Sequence, residues 1–328
     1  MKVFTHAVSG LFPDRILDVD RYLTYEDWIN MSALERQRVG IIGTGRVGAV
    51  LGAALRARGH DVVAASAASA AAKGRIARLL PGTPVLPADE VAGAATDLLI
   101  IAVPDDALAD LVAGLARTGA LRTGQVVLHT SGAHGLAVLG PAAIAGARPL
   151  ALHPAMTFTG TAADLDRLAG ISYGITAPAD LKAFAEDIVH DLGGHPEWVA
   201  EDDRALYHAA LAHGANHLVT LVNEAMDRLT DAGVVYPEKV IGPLLHAALD
   251  NTLRMRDAAL TGPVSRGDAG TVARHVAAIE ATAPDSVPAY VAMARRTADR
   301  AIAAGQLRPH DAEALLGVLA SNRPERVA

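Results

Sequence analysis

Residues 38–51 read Arg-Val-Gly-Ile-Ile-Gly-Thr-Gly-Arg-Val-Gly-Ala-Val-Leu, and this stretch constrains the fold more than any other part of the chain. The apolar run at 39–42 meets Gly43, Gly45 and Gly48 at G-x-G-x-x-G spacing, and helix-forming residues follow over 49–58. The pattern predicts a strand, a tight turn and a helix N-terminus in succession. Gly43 permits the turn, Gly45 lets the backbone approach a pyrophosphate, and Gly48 lets helix and strand pack closely. The free N–H groups and positive dipole end of the helix then face the phosphates. Thr44, Arg46 and Val47 complete the turn and join the three glycines as candidate cofactor contacts. The motif alone is weak; the strand before it and the helix after it give it weight.

The chain continues in βα fashion. Strands are predicted at 60–65, 84–86, 96–103, 125–129, 148–152, 171–175 and 196–199, with helices between them ending near residues 80, 117 and 192. Strands separated by helices of ten to fifteen residues indicate an α/β fold, a doubly wound parallel Rossmann sheet. Ligands on such sheets bind at the carboxyl ends of the strands. Val103 and Pro104, Ser131 in Thr130-Ser131-Gly132, and His153 before Pro154 all fall at such ends. Beyond residue 201 the strands stop, and helices are predicted at 202–231, 237–259, 268–282, 286–304 and 309–319. The division is therefore an N-terminal extension (1–36), a nucleotide-binding Rossmann domain (37–201) and an all-helical substrate or dimerisation domain (202–328).

Composition excludes several alternatives. A net charge of −7 argues against nucleic acid as the partner. The absence of cysteine removes disulfides, thiolate chemistry and cysteine-ligated metals. No apolar run of eighteen residues would span a bilayer, and the charged N-terminus is not a secretory signal, so a cytoplasmic protein is expected. Thirteen histidines are present, yet His213 and His217 lack the intervening glutamate of a hydrolase zinc helix, so no metal is expected. Ser131 does not sit in a G-x-S-x-G elbow.

The end of the second strand decides the type of cofactor. An NAD reader carries Asp or Glu there for the ribose 2′-hydroxyl. Residues 64–69 are Ala-Ala-Ser-Ala-Ala-Ser, and no carboxylate follows until Asp89. Ser66 and Ser69, with Lys73 and Arg75 one turn into the next helix or Arg46 in the glycine turn, suit the 2′-phosphate of NADP. The alternative for Lys73 and Arg75 is a solvated helix face.

Two further clusters are candidates for chemistry. No Asp, Glu, Lys or Arg occurs over 205–223, yet His213, Asn216, Thr220 and Asn223 recur at spacings of three, four and three, one helical stripe. His208 and His213 are the candidate proton donors and Asn216 a substrate-orienting group; the alternative is hydrogen-bonded polar residues of a core or dimer interface. Around Gly262-Pro263, Arg266 could hold a carboxylate beside Asp268, which is placed to cap a helix.

The sheet followed by an all-helical domain resembles the 6-phosphogluconate dehydrogenase-like superfamily, which includes ketopantoate reductase and pyrroline-5-carboxylate reductase. One branch, a Rossmann-like domain with a C-terminal helical domain of unknown function, is matched more closely. The matching segments are Leu128-His129-Thr130-Ser131-Gly132, Leu152-His153-Pro154, Tyr207-His208-Ala209-Ala210 with Asn216, and Leu260-Thr261-Gly262-Pro263 with Arg266, Asp268 and Thr271. The resemblance implies NADPH on the turn at 43–48, the nicotinamide over Val103 and Pro104, and a substrate between the domains. It also exposes a departure: superfamily members carry a lysine four residues before an asparagine, and here Ala212 precedes Asn216 with no lysine over 183–238. The expected function is an NADP(H)-dependent oxidoreductase acting on a small 2-oxo acid, with 2-dehydropantoate as first substrate. The proton would come from His208, His213 or His153, or from water, and Ser131, His153, Arg266 and Asp268 would bind the substrate. The alternatives are an imine reductase of the pyrroline-5-carboxylate type or a non-catalytic NADP(H)-binding regulator. Alanine-rich helices suggest a homodimer.

Overall fold

A computed structural model of the chain describes residues 35–321, so nearly all of the expected N-terminal extension lies outside the described residues. The chain divides into two compact units, Leu211 ending the first and Ala212 opening the second.

The first unit runs β1 (Arg38–Ile42), α1 (Arg46–Ala57), β2 (Asp61–Ala65), α2 (Ala70–Leu79), α3 (Ala88–Ala94), β3 (Leu98–Ile101), α4 (Asp105–Arg117), β4 (Val126–His129) and α5 (Gly140–Ile144). It continues with β5 (Arg148–Pro154), α6 (Ala163–Arg167), β6 (Ser172–Thr176), α7 (Lys182–Asp191), β7 (His195–Trp198) and α8 (Arg204–Leu211). The seven strands form one sheet in the order β2-β1-β3-β4-β5-β6-β7. After β2 the chain crosses back over β1 to β3, and this reversal of strand order is where ligands of such sheets bind.

The central strands are buried on both faces. In β3, Leu98 and Ile100 join one apolar layer while Leu99 and Ile101 join the other, as the two-residue period of a strand requires. Val39, Ile41, Leu51 and Leu55 fill the first layer, and Ile42, Leu108, Val112 and Val127 fill the second. Each such side chain contributes about 1.5–3 kcal/mol on burial.

Three local expectations are corrected. The sheet is parallel except that β6 runs antiparallel to β5. Their connection contains only the five-residue α6, too short a helix for the crossover that a parallel return needs. The strand expected at 84–86 reduces to one parallel bridge between Ala65 and Val85, because Pro84 and Pro87 have no N–H with which to extend a ladder. The single helix expected over 202–231 is broken into α8, a wide five-residue π turn (Ala212–Asn216) and α9 (His217–Asp231). A π turn shifts helical register. The residues His213, Asn216, Thr220 and Asn223 therefore do not form one continuous stripe, and all four are exposed.

The second unit continues with α10 (Pro237–Met255), α11 (Ala269–Thr282), α12 (Val287–Ala303) and α13 (Pro309–Ser321). Val272, Val276, Val291, Ala298, Leu315 and Leu319 build its core from α11–α13. Among the described residues, α9 and α10 contribute no buried side chain.

Candidate active site

The turn after β1 is built by its glycines. Gly43 has φ +89°, and a Cβ there would lie 2.5 Å from the Ala102 carbonyl oxygen at the end of β3. A Cβ on Gly48 would strike the Gly43 carbonyl, whereas one on Gly45 would meet nothing within 4 Å. Gly45 thus opens onto free space at the start of α1, which has no side-chain cap and no acid in its first turn. Those first N–H groups have no intrahelical partner and suit an anion. Thr44 is buried, its hydroxyl donating to the Ser66 carbonyl (2.7 Å), and the Gly43 N–H donates to Ser66 Oγ (3.1 Å). Ser66 therefore ties the end of β2 to the turn and keeps its own hydroxyl proton for a ligand. Ser69 caps α2 by accepting from the Ala72 N–H (3.1 Å) and likewise retains a donor. Val47 packs on the apolar layer and Arg46 is exposed.

Arg46 and Arg75 meet at Gly160, where a Cβ would lie 3.1 Å from Arg46 Cγ and from Arg75 Cδ. Arg75 Nε is buried without a hydrogen-bond partner among the described residues, while Lys73 is exposed. The loop carrying Gly160 is held by the buried Asp164, which accepts from the Thr159 N–H (2.8 Å), the Gly160 N–H (2.7 Å) and the Thr159 hydroxyl (2.9 Å). Burial alone would raise the Asp164 carboxyl, but these hydrogen bonds outweigh it and hold the group below the usual range. An uncapped helix N-terminus, two serine hydroxyls and a guanidinium with a free donor fit a diphosphate and one further phosphate.

The second part of the site lies at the ends of β4 and β5, with Val103 half-buried and Pro104 exposed at the neighbouring end of β3. His129 is fully buried; its Nε2 meets the Gly135 carbonyl (2.8 Å) and its Nδ1 accepts from the Ser131 N–H (3.2 Å), which makes the ring neutral with the proton on Nε2. Ser131 Oγ accepts from the N–H groups of Ala133 (3.2 Å) and His134 (3.1 Å). The segment entering α8 fastens this loop. Glu201 accepts from the N–H groups of Leu136 (2.6 Å) and Ala137 (2.9 Å). Arg204, 1% exposed, donates to the carbonyls of His134 (2.8 Å), Gly174 (3.1 Å) and Ser131 (3.2 Å). On the same helix face, the Tyr207 hydroxyl lies 3.1 Å from His153 Nδ1, and the His208 and His153 rings meet edge to face at 5.9 Å. Burial, then the neighbouring Arg204 guanidinium, lowers His129 to about 4. Burial, then His208 and Arg204, lowers His153 to about 4 as well.

Of the residues singled out in the sequence, the structure brings Ser131, His153 and His208 together. Arg204 and Glu201 were not anticipated, His129 was placed at the end of a predicted strand without a role, and Tyr207 entered only through the resemblance. The signal for Arg204 was its spacing to Tyr207 and His208, which brings the three to one face of α8. The other candidates belong to the second unit. His213 is exposed in the π turn with its Nδ1 3.0 Å from His217 Nδ1, and Asn216 ends that turn. Arg266 is exposed; Asp268 caps α11 by accepting from the Thr271 N–H (2.9 Å), and that N–H and the Thr271 hydroxyl hold its carboxyl low. Among the described residues, no three His, Asp or Glu side chains are arranged to hold a metal ion.

The fold defines a doubly wound Rossmann-like α/β unit followed in sequence by a helical unit, and comparison with known families agrees on that architecture. Residues 29–154 match the Rossmann-like domain family, and residues 171–297 match a domain of unknown function, DUF2520. No curated protein matches the chain in sequence. A solved structure from Bacteroides fragilis, provisionally called an NADP oxidoreductase, superposes with TM-score 0.68 at 19% identity, covering 80% of this chain and 98% of that one. Imine reductase from Aspergillus terreus, in complex with NADPH4 and dibenz[c,e]azepine, superposes with TM-score 0.53 at 20% identity, covering 83% and 96%. Pyrroline carboxylate reductase of Plasmodium falciparum with NADP bound gives TM-score 0.52 at 11% identity, covering 82% and 99%. At these identities the likeness is one of fold.

Proposed function

We propose that the protein is an NADP(H)-dependent reductase of a small molecule carrying a C=O or C=N group. The observation that carries this reading is the placement, in one unit and along one carboxyl edge of the sheet, of an uncapped glycine-turn helix N-terminus after β1 and of His153 at the end of β5 with the His208 ring against it. Gly45 and the first N–H groups of α1 would hold the diphosphate, and Ser66, Arg46 and Arg75 the 2′-phosphate. NADPH supplies hydride to the electrophilic carbon when bound. His208 gives the proton to the oxygen or nitrogen that gains the electron pair and recovers it from water. Ser131 and His153 orient the substrate. The names of the solved structures above, NADP and NADPH4 complexes among them, support the cofactor.

The reading has two substrate arms. A 2-oxo acid such as 2-dehydropantoate follows from the branch resemblance. The imine arm has a specific observation in its favour: Ala212 stands where superfamily members carry lysine, and an imine nitrogen, more basic than a carbonyl oxygen, needs less help from an acid. The test is NADPH oxidation by the purified chain with 2-dehydropantoate, other small 2-oxo acids, pyrroline-5-carboxylate and cyclic imines. Turnover by one class, lost in His208→Phe, supports the reading. NADPH binding without turnover of either class would make the protein a coenzyme-binding regulator, and no calorimetric binding of either nicotinamide coenzyme would end the reading altogether.

The reading includes a homodimer formed through α9 and α10. Leu218, Val219, Leu244, Leu249 and Leu253 are each at least 41% exposed there. At 1.5 Å per residue and about 10 Å between axes, the two helices present a face of roughly 28 by 20 Å, about 560 Å² in projection, at the small end of the range for specific interfaces. Sedimentation equilibrium at two chains per particle is the expected result, and a monomer at micromolar concentration would exclude it.

A further inference from the structure

His153 is flanked by two glycines with opposite roles. Its register partner across β5 and β6 is Gly174, where a Cβ would lie 2.6 Å from the Tyr207 hydroxyl oxygen. Only a glycine there lets the phenol reach His153 Nδ1. The other edge of the ring lies over Gly132, where a Cβ would fall 3.1 Å from His153 Nε2 and 2.7 Å from His208 Cδ2. That glycine leaves the Nε2 edge free of any side chain from the loop. Among the described residues His153 Nδ1 is the only hydrogen-bond acceptor of the Tyr207 O–H, so the phenol donates to that nitrogen. An Nδ1 that accepts leaves the proton of a neutral imidazole on Nε2.

The surrounding charges oppose a second proton. Arg204 lies one turn before Tyr207, buried, with its donors directed at three carbonyls. The groups that face His153 are Arg204, Tyr207 and His208 from α8, His129 from β4 and Asp105 from the first turn of α4, and of these Asp105 alone favours protonation.

We infer that Tyr207 is a positioning residue that locks His153 as a neutral ring with its proton on Nε2, so that His153 serves as a fixed hydrogen-bond donor to the acceptor atom of the substrate rather than as the acid. This rests on the reductase reading above. The electrons and protons balance without it: hydride goes to carbon, the C=O or C=N electron pair goes to oxygen or nitrogen, and the proton comes from His208 while the His153 N–H bond stays intact. A neutral imidazole can polarise a carbonyl in this way.

The test is long-range ¹H–¹⁵N correlation of the imidazole rings in the labelled full chain without ligand, with the His153 signals assigned through His153→Gln. The expected pattern at pH 7 is a neutral ring protonated on Nε2, persisting on acidification to near pH 4. Tyr207→Phe should give a mixture of tautomers at His153, leave the His129 signals in place, and lower kcat about tenfold with little change in KM. An imidazolium or an Nδ1-protonated ring at pH 7 in the parent chain, or a tautomer unmoved by Tyr207→Phe, would overturn the inference. The expected NMR pattern in a chain that turns over neither oxo acids nor imines with NADPH would instead remove the reductase reading and leave the lock standing.

Discussion

The centre of the first unit and the helix pair that opens the second are both rich in leucine, and they use it in opposite ways. In β3, Leu98 and Leu99 are fully buried, whereas on α10, Leu244, Leu249 and Leu253 are 67%, 54% and 76% exposed. The strand is covered on both faces by helices of its own chain. The helices α9 and α10 have no such cover among the described residues. An apolar face therefore states that something must cover it, and the chain itself supplies that cover only in the sheet.

If this contrast is right, changes beneath the sheet should be costly and changes on α10 cheap for the folded chain. The largest effect is expected at Arg204. Arg204→Met strands the carbonyls of Ser131, His134 and Gly174, and urea unfolding should show a loss of about 3–5 kcal/mol; a loss below 1 kcal/mol would break the assignment of Arg204 as the pin of the loop. Acid comes next. His129 and His153 are held at about 4 against 6.5 in the unfolded chain. From pH 6.5 down to 4 the unfolded chain takes up protons that the folded one refuses, so stability falls with pH across that window and is flat above it. The loss is about 2 kcal/mol per histidine by pH 5. The lowered Asp164 carboxyl acts in the same direction further down, its contribution being lost as pH falls below 3.8. Stability that stayed constant from pH 7 to 4.5 would contradict the burial of both rings.

A smaller effect of opposite sign is expected at Tyr173, whose buried hydroxyl has no partner among the described residues. Tyr173→Phe should raise stability by about 1 kcal/mol. The smallest change belongs to the helices: Leu244→Ser should alter the stability of the folded chain by no more than about 0.5 kcal/mol. Sedimentation should nevertheless show particles of two chains giving way to one, and an unchanged mass would remove this face from the proposed dimer.

Much of the first unit was legible because its signals are local. The glycines at 43, 45 and 48, the unbroken apolar run of β3 and the regular helix spacing each lie within a few residues of one another. The antiparallel β6 was not legible, since an apolar strand has no direction written in its composition, and the length of its connection decides it. The π turn at Ala212–Asn216 was missed because a helical wheel assumes one period throughout, and the proposed stripe of His213, Asn216, Thr220 and Asn223 depended on that assumption. Of the candidate cluster, Ser131, His153 and His208 could be found from strand ends and a histidine-bearing helix, while Glu201 looked like an ordinary charge ahead of a helix.

By itself, then, the amino-acid order determined a glycine turn between a strand and a helix, the β-α alternation around it and a helical second half, because each depends on backbone preferences and periodicity over short spans. Tertiary structure alone decided that Arg204 would cap carbonyls 70, 30 and 73 residues away, and that glycines at 132 and 174 would admit a histidine pair and a phenol. Those contacts depend on which strand ends become neighbours and how closely their backbones approach. No local pattern encodes that distance.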